Sequence, residues 1–283
     1  MLTVIHVLTH YLEHHMYSPN TISLASKFDE GAKKNTEFFS RKAQAPIDGI
    51  RELLDVQCRI ASYFVGWWLD PVFLGFRKGH QGLMRLLFSL FHRNFFTFYS
   101  ALVLTVSGFY ESARPLLRNI FESLMVSKFC HICDDDRVIE QWDSGETIFF
   151  TNSILKKITY PDTRPFYEFW GLICEHSHAT KASLQVSLEL KSEEELNAVA
   201  TNLALLNALL ECNYHLLNTH LITPQLAYMD KLYSNPATPK LRDYETPGLR
   251  KRAHVQFKKN RPFLSPESIK LISTYKRKWI IKK

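Results

Sequence analysis

Glycine is scarce in this chain, ten residues in 283, which argues against a many-turned β fold. Cysteine is scarce too, and odd in number. Cys58, Cys130, Cys133, Cys174 and Cys212 are unevenly spaced and fall in segments of helical pattern. They are expected to be reduced core residues of an intracellular protein rather than a disulfide framework. No uncharged run reaches the ~20 residues of a membrane-spanning helix. The longest, Asn94 to Tyr110, is broken by Thr97, Ser100, Thr105, Ser107 and Gly108 and is expected to be a buried helix without a transmembrane role. The first residues lack a basic segment, and His6, His10 and Glu13 interrupt their apolar pattern, so no signal peptide is expected and a cytoplasmic location is.

Acid is nearly absent from one place. Residues 248–283 hold twelve Lys or Arg and a single acid, Glu267, a local charge of +11 in a chain whose net charge is +7, so the rest carries −4. A near-neutral body with a cationic end predicts a polyanionic partner: RNA, DNA or an anionic membrane surface. Arg250, Lys251, Arg252, Lys258, Lys259 and Arg261 are the candidate substrate-binding cations. Phe257, Phe263, Tyr275 and Trp279 are interleaved with this charge. Lysines that meet phosphates beside rings that stack on bases suit single-stranded nucleic acid. A solvated arm whose rings dock on the body is the alternative.

What is abundant is helical periodicity. Residues 1–17 are expected to form a short amphipathic helix and residues 20–45 a polar linker or lid. From Pro46, the spacing of Ile50, Leu53, Leu54, Cys58 and Ala61 predicts a helix ending at Asp70-Pro71. A long apolar helix follows from about His80 to Val106, then a tight turn at Gly108 and a helix capped by Ser112 with Pro115 in its first turn. Asp134-Asp135-Asp136 is expected to start another helix, carried by Ile139, Trp142, Ile148 and Phe149. Phe166, Phe169, Trp170 and Ile173 mark the next. Ser192 to Glu195 matches a capping box, followed by Leu196, Val199, Leu203, Leu206, Leu210 and Leu217 in a helix expected to reach about Leu221. Prolines 236, 239, 247, 262 and 266 point to extended chain beyond Tyr233. The expected fold class is all-α: an N-terminal helical extension (1–79), a helical bundle (80–233) and a basic, proline-containing C-terminal arm (234–283).

Several constellations could carry chemistry. Glu175 and His178 form a Glu-x-x-His pair, half of a di-iron carboxylate motif, but no second copy follows. His176 and His178 lie about 200° apart on a helix and cannot grip one ion. No metal and no cofactor is expected. Arg114, Arg118 and Glu122 share one helix face, as a solvated row of ion pairs or, turned inward, as a phosphate clamp. Arg85 and His92 stand six residues apart with Leu86 after the arginine, a spacing that nucleases of the HEPN type permit. Cys130 and Cys133 resemble half a zinc site with no partner pair. Glu211 and His215, at i and i+4, are expected to make a helix-face contact.

Gly108-Phe-Tyr-Glu-Ser-Ala-Arg-Pro-Leu-Leu-Arg-Asn-Ile-Phe-Glu122, then Asp135-Asp136, Trp142 and Phe169-Trp-Gly-Leu-Ile-Cys-Glu-His-Ser-His178, resembles a bacterial family of helical proteins grouped as HEPN-like. The resemblance covers about residues 80–222. It implies a HEPN-like bundle with Arg118, Glu122 and His178 as the polar cluster and Arg114 and His176 as neighbours. No arginine stands four to six residues before His178, a departure from the ribonuclease pattern. The leading expectation is therefore a protein that binds or cleaves RNA, in a toxin or phage-defence setting. If catalytic, it would be a metal-independent endoribonuclease with His178 or His176 as general acid/base, Arg118 on phosphate and Glu122 orienting it. The other expectation is a non-catalytic scaffold that pairs with itself as a homodimer or with a partner.

Overall fold

The computed structural model describes residues 24–68, 81–133, 140–141, 144–145, 154–159, 163–175, 193–219, 246–277 and 280–281. Its helices are α1 (Leu24–Lys42), α2 (Gln44–Trp68), α3 (Gln81–Val106), α4 (Tyr110–Cys133), α5 (Arg164–Glu175), α6 (Glu193–Leu217), α7 (Thr246–Asn260) and α8 (Pro266–Lys276). A 3-10 turn, Arg261–Phe263, joins the last two. Two-residue strands β1 (Ile158–Thr159) and β2 (Ile280–Ile281) pair antiparallel, with Ile158 opposite Ile281. The fold is an all-α bundle.

α6 is its axis. Every residue from Asn202 to Tyr214 is buried, so the helix meets neighbours all round rather than through one stripe. Of the apolar face expected on it, Val199, Leu203, Leu206, Leu210 and Leu217 are buried, whereas Leu196 is exposed. A chain of polar contacts crosses the core at this axis. Gln57 of α2 donates to the Leu210 carbonyl (3.0 Å) and accepts from Asn213 (2.9 Å). Asn94 of α3 donates to Asn213 Oδ1 (3.3 Å), and Ser123 of α4 donates to Asn94 Oδ1 (2.7 Å). Four helices are thus tied by groups that would be costly to bury unpaired, which penalises any slip of one helix along another.

α3 and α4 form an antiparallel hairpin around Gly108. Its φ of +90° suits glycine, and a Cβ there would collide with the Asn35 side chain, which donates to the Ser107 carbonyl at 3.2 Å. α4 starts at Tyr110, so Ser112 lies inside the helix rather than capping it, and Pro115 lies beyond the first turn.

Two expectations are overturned. The linker or lid of residues 20–45 is largely helix α1, because its inward stripe is Gly31, Asn35 and Phe39, only one of them apolar. The extended C-terminal chain is helical across most of 246–276. Pro266 stands at the first position of α8, where its missing N–H costs nothing, behind the Ser265 cap that accepts from Ser268 N at 3.1 Å. Pro247 is likewise the second residue of α7 and Pro262 sits in the 3-10 turn. These three prolines mark helix starts and a turn, not extended backbone, while Pro236 and Pro239 lie outside the described residues. These helices belong to the core: Leu249, Ala253 and Phe257 of α7 and Leu271, Ile272 and Tyr275 of α8 are all buried in the one cluster shared with α2 to α6. Each large side chain there contributes roughly 2 kcal/mol. Of the helix expected after Asp136, residues 140–141 are helical and 144–145 form a turn, while Ile139, Trp142, Ile148 and Phe149, Ser192 of the capping box and residues 1–17 lie outside the described residues.

Candidate functional site

The cations of the C-terminal segment divide by what they face. On α7, Leu249, Ala253, Phe257 and Asn260 turn inward. Asn260 donates to Asn207 Oδ1 (2.7 Å), accepts from Gln256 (2.7 Å), and sits where a Cβ on Gly49 would strike it. Arg252 leaves the helix on one flank and binds Glu52 at 2.7 Å and Asp55 at 3.5 Å on α2. Arg261 and Lys276 converge on one oxygen of Glu211, at 2.9 and 2.5 Å. Glu211 is only 4 % exposed, so this carboxylate draws two cations to the edge of the core and fastens α7 and α8 to α6. Lys270 of α8 reaches Glu168 of α5 at 3.7 Å.

The other flank of α7 is different. Arg250, Lys251, His254, Val255 and Lys258 line a cavity of ≈ 500 Å³ that contains no acid among the described residues. The spacing 251, 254, 255, 258 is that of one helix face, which places these groups along a single row. His254 and Lys258 also line a second cavity of ≈ 470 Å³, whose floor is Glu211, Tyr214, His215 and Asn218 of α6 and its end. The two cavities are therefore neighbours along one cationic groove. Rings wall the deeper one: Tyr214 meets His254 and Phe257 edge-on at 5.8 and 5.1 Å, and behind the wall His215 meets the buried Tyr275 edge-on at 5.9 Å. Burial, with Lys128 and Lys276 close by, lowers the His215 pKa to about 4, so its ring is neutral at pH 7. Burial lowers Lys128 to about 8, where its ammonium lies over the Tyr275 ring at 5.5 Å. Burial raises the Tyr214 phenol, opposed by the nearby Arg250 guanidinium.

The expected catalytic cluster is built otherwise. Arg118 and Glu122 pair along α4 at 3.0 Å, both part-exposed, and the guanidinium lies 4.6 Å over the Trp170 ring of α5. Arg114, expected beside them on phosphate, is buried at 3 % exposure. None of these three lines either cavity described above. His176 and His178 lie outside the described residues, and Glu175 ends α5. His92 is exposed on α3 between Phe88 and Phe96, with ring centroids at 6.3 and 5.2 Å. Cys130 is buried. Among the described residues, no group of His, Cys, Asp and Glu is arranged to hold a metal ion, and no helix is long and apolar enough to cross a membrane.

Sequence reasoning found the cations but not the carboxylate that holds two of them, Arg261 and Lys276. Glu211 and His215 do share a helix face, yet Glu211's partners come from 50 and 65 residues further on. Nothing local announces that.

Residues 84–160 match DUF5677, a family of unknown function. The match spans most of α3, all of α4 and β1 and leaves the cationic groove outside it. No curated protein matches the chain, and no solved structure does.

Proposed function

We propose that the protein binds single-stranded RNA along the outer flank of α7. The observation that carries this reading is the row of Arg250, Lys251 and Lys258 around a cavity with no acid among its described residues, with the exposed His254 ring between them. Phosphates would meet the cations and a base would stack on the imidazole, an arrangement indifferent to sequence and sensitive to salt. The resemblance to HEPN-like proteins supports RNA as the polyanion and a bacterial toxin or phage-defence setting in the cytoplasm. Cleavage adds to this reading His178 or His176 as general acid/base and Arg118 with Glu122 at the phosphate. Alanine at His178 and Arg118 tests it: lost RNA cleavage with an unchanged thermal transition supports catalysis, and no cleavage by wild type refutes it. Binding itself is tested by fluorescence anisotropy of a labelled single strand across a salt series.

A specific observation favours a second reading, self-association as a scaffold. His92, Phe96, Tyr99 and Val103 follow each other by four, three and four residues and are all exposed, Phe96 at 65 % and Tyr99 at 62 %. That spacing makes a continuous seam along α3, suited to a second helix. Light scattering of wild type against Phe96→Glu tests it: a dimer that becomes a monomer supports the scaffold, and a wild-type monomer removes it.

A further inference from the structure

The deeper cavity differs from the open groove in having a floor, a wall of rings and polar atoms with nothing to bond. Its ≈ 470 Å³ falls in the range that takes a small organic ligand. Among the described residues, Lys258, Arg261 and Lys276 line it against a single carboxylate, Glu211, a surplus of two positive charges before any histidine is counted. Glu211 holds Arg261 and Lys276 by one oxygen and fixes two long side chains at the rim. Their ordering is then complete before any ligand arrives. The surplus matches the dianion of a phosphomonoester, whereas a phosphodiester within a strand carries only one charge.

Two buried atoms of this lining, the Tyr214 hydroxyl and Asn218 Oδ1, have no hydrogen-bond partner of good geometry among the described residues. Tyr214 is 5 % exposed, and the Arg250 guanidinium beside it, which opposes the rise of the phenol's pKa by charge and by hydrogen bonding, has no acceptor to offer the hydroxyl proton. Buried polar atoms are nearly always bonded, so a donor and an acceptor site left open in one cavity call for a ligand with hydroxyl or amine groups. Sugar hydroxyls and base edges supply both.

We infer that this cavity is a pocket for a phosphomonoester with an aromatic, hydroxyl-bearing body: a nucleoside monophosphate, or the phosphorylated end of an RNA strand. The phosphate sits among Lys258, Arg261 and Lys276, the body lies against Tyr214, His254 and Phe257, and the Tyr214 hydroxyl and Asn218 bond its polar edge. Glu211 is a positioning residue that keeps the two rim cations in place. The strand-end form rests on the RNA reading of the adjoining groove, and the free-nucleotide form stands without it.

The test is calorimetric titration of the full chain with adenosine 5′-monophosphate, adenosine, and one short RNA strand bearing a 5′-phosphate, a 3′-phosphate or neither. Adenosine 5′-monophosphate is expected to bind at one site per chain, at least about tenfold more tightly than adenosine. Lys258→Ala, at an exposed position that leaves the core intact, is expected to weaken it about tenfold, and Tyr214→Phe several-fold with the ring wall preserved. If a phosphorylated strand binds and the mononucleotide competes with it, both sources use the pocket. If only phosphorylated strands bind, the strand end is the ligand. If the mononucleotide binds and no strand does, the pocket stands and the RNA reading of the groove fails. If strands bind equally with or without a terminal phosphate and the mononucleotide does not bind, the pocket is refuted and the groove stands. If nothing binds, both fall.

Discussion

Two arginine–glutamate pairs in this molecule look alike in a list and differ in everything that follows from their surroundings. Arg118 and Glu122 lie four residues apart on one helix, part-exposed, with the charge closed on itself and the guanidinium covered by Trp170. Arg261 and Glu211 are 50 residues apart, and the carboxylate is buried, shared with Lys276, and set in the floor of a cavity. The first pair is the one a sequence motif selects. The second joins distant segments, and beside it stand cations whose cavity has no acid among the described residues. A local pair uses up its own charge, while a buried carboxylate that gathers cations from afar leaves charge to offer a ligand.

Replacing the two glutamates breaks the comparison most sharply. Glu211→Ala removes the shared counter-charge of Arg261 and Lys276, whose own side chains are part-exposed, and is expected to cost about 2 kcal/mol in urea unfolding. Glu122→Ala is expected to cost under about 1 kcal/mol in the same measurement. Equal losses would mean that the two pairs do the same work.

Docking can also be tested without touching charge. Gly49→Ala places a methyl group against the Asn260 amide that locks α7 to α6. An overpacked contact of this kind is expected to cost about 1–3 kcal/mol by thermal or chemical unfolding. The same change at Gly171, where a Cβ meets nothing within 4 Å, should not destabilise by that route.

Acid should loosen the Glu211 region in a defined window. The folded His215 pKa is about 4 against an ordinary 6.5, so between those values the unfolded chain binds the extra proton. This contribution to stability is complete above pH 6.5 and is lost as pH falls toward 4. A series of unfolding curves from pH 7 to 4 should decline less steeply in His215→Phe than in wild type. Identical slopes would remove His215 from the account.

Much of the bundle was legible because its helices announce themselves by spacing. α3, the glycine turn, α5 and α6 follow from apolar residues at helical intervals. α1 and α7 did not, for physical reasons that particular residues show. α1 buries Gly31 and Asn35, which no hydrophobic pattern detects, and the apolar residues that α7 buries, among those described, are only Leu249, Ala253 and Phe257, beneath a dense cationic exterior. Pro247, Pro262 and Pro266 then read as breakers although they sit at helix starts and a turn, where the missing donor is harmless. The candidate site was legible as charge and illegible as geometry. Arg250, Lys251 and Lys258 were visible as a basic run, but their separation from Arg252 and Arg261 depends on which helix faces what. Deleting residues 248–283 is for that reason a poor probe of the cations, since it would also remove Tyr275, Ile272 and Leu271 from the core.

The most direct measurement is anisotropy of a labelled single-stranded RNA with wild type and with the triple variant Arg250→Ala, Lys251→Ala, Lys258→Ala, across a range of salt. The account predicts tight, salt-sensitive binding by wild type. The folded variant should bind more weakly, with a slope of log K against log salt shallower by about 2, as expected for three lost phosphate contacts. Equal affinity and equal slope in the two proteins would contradict it.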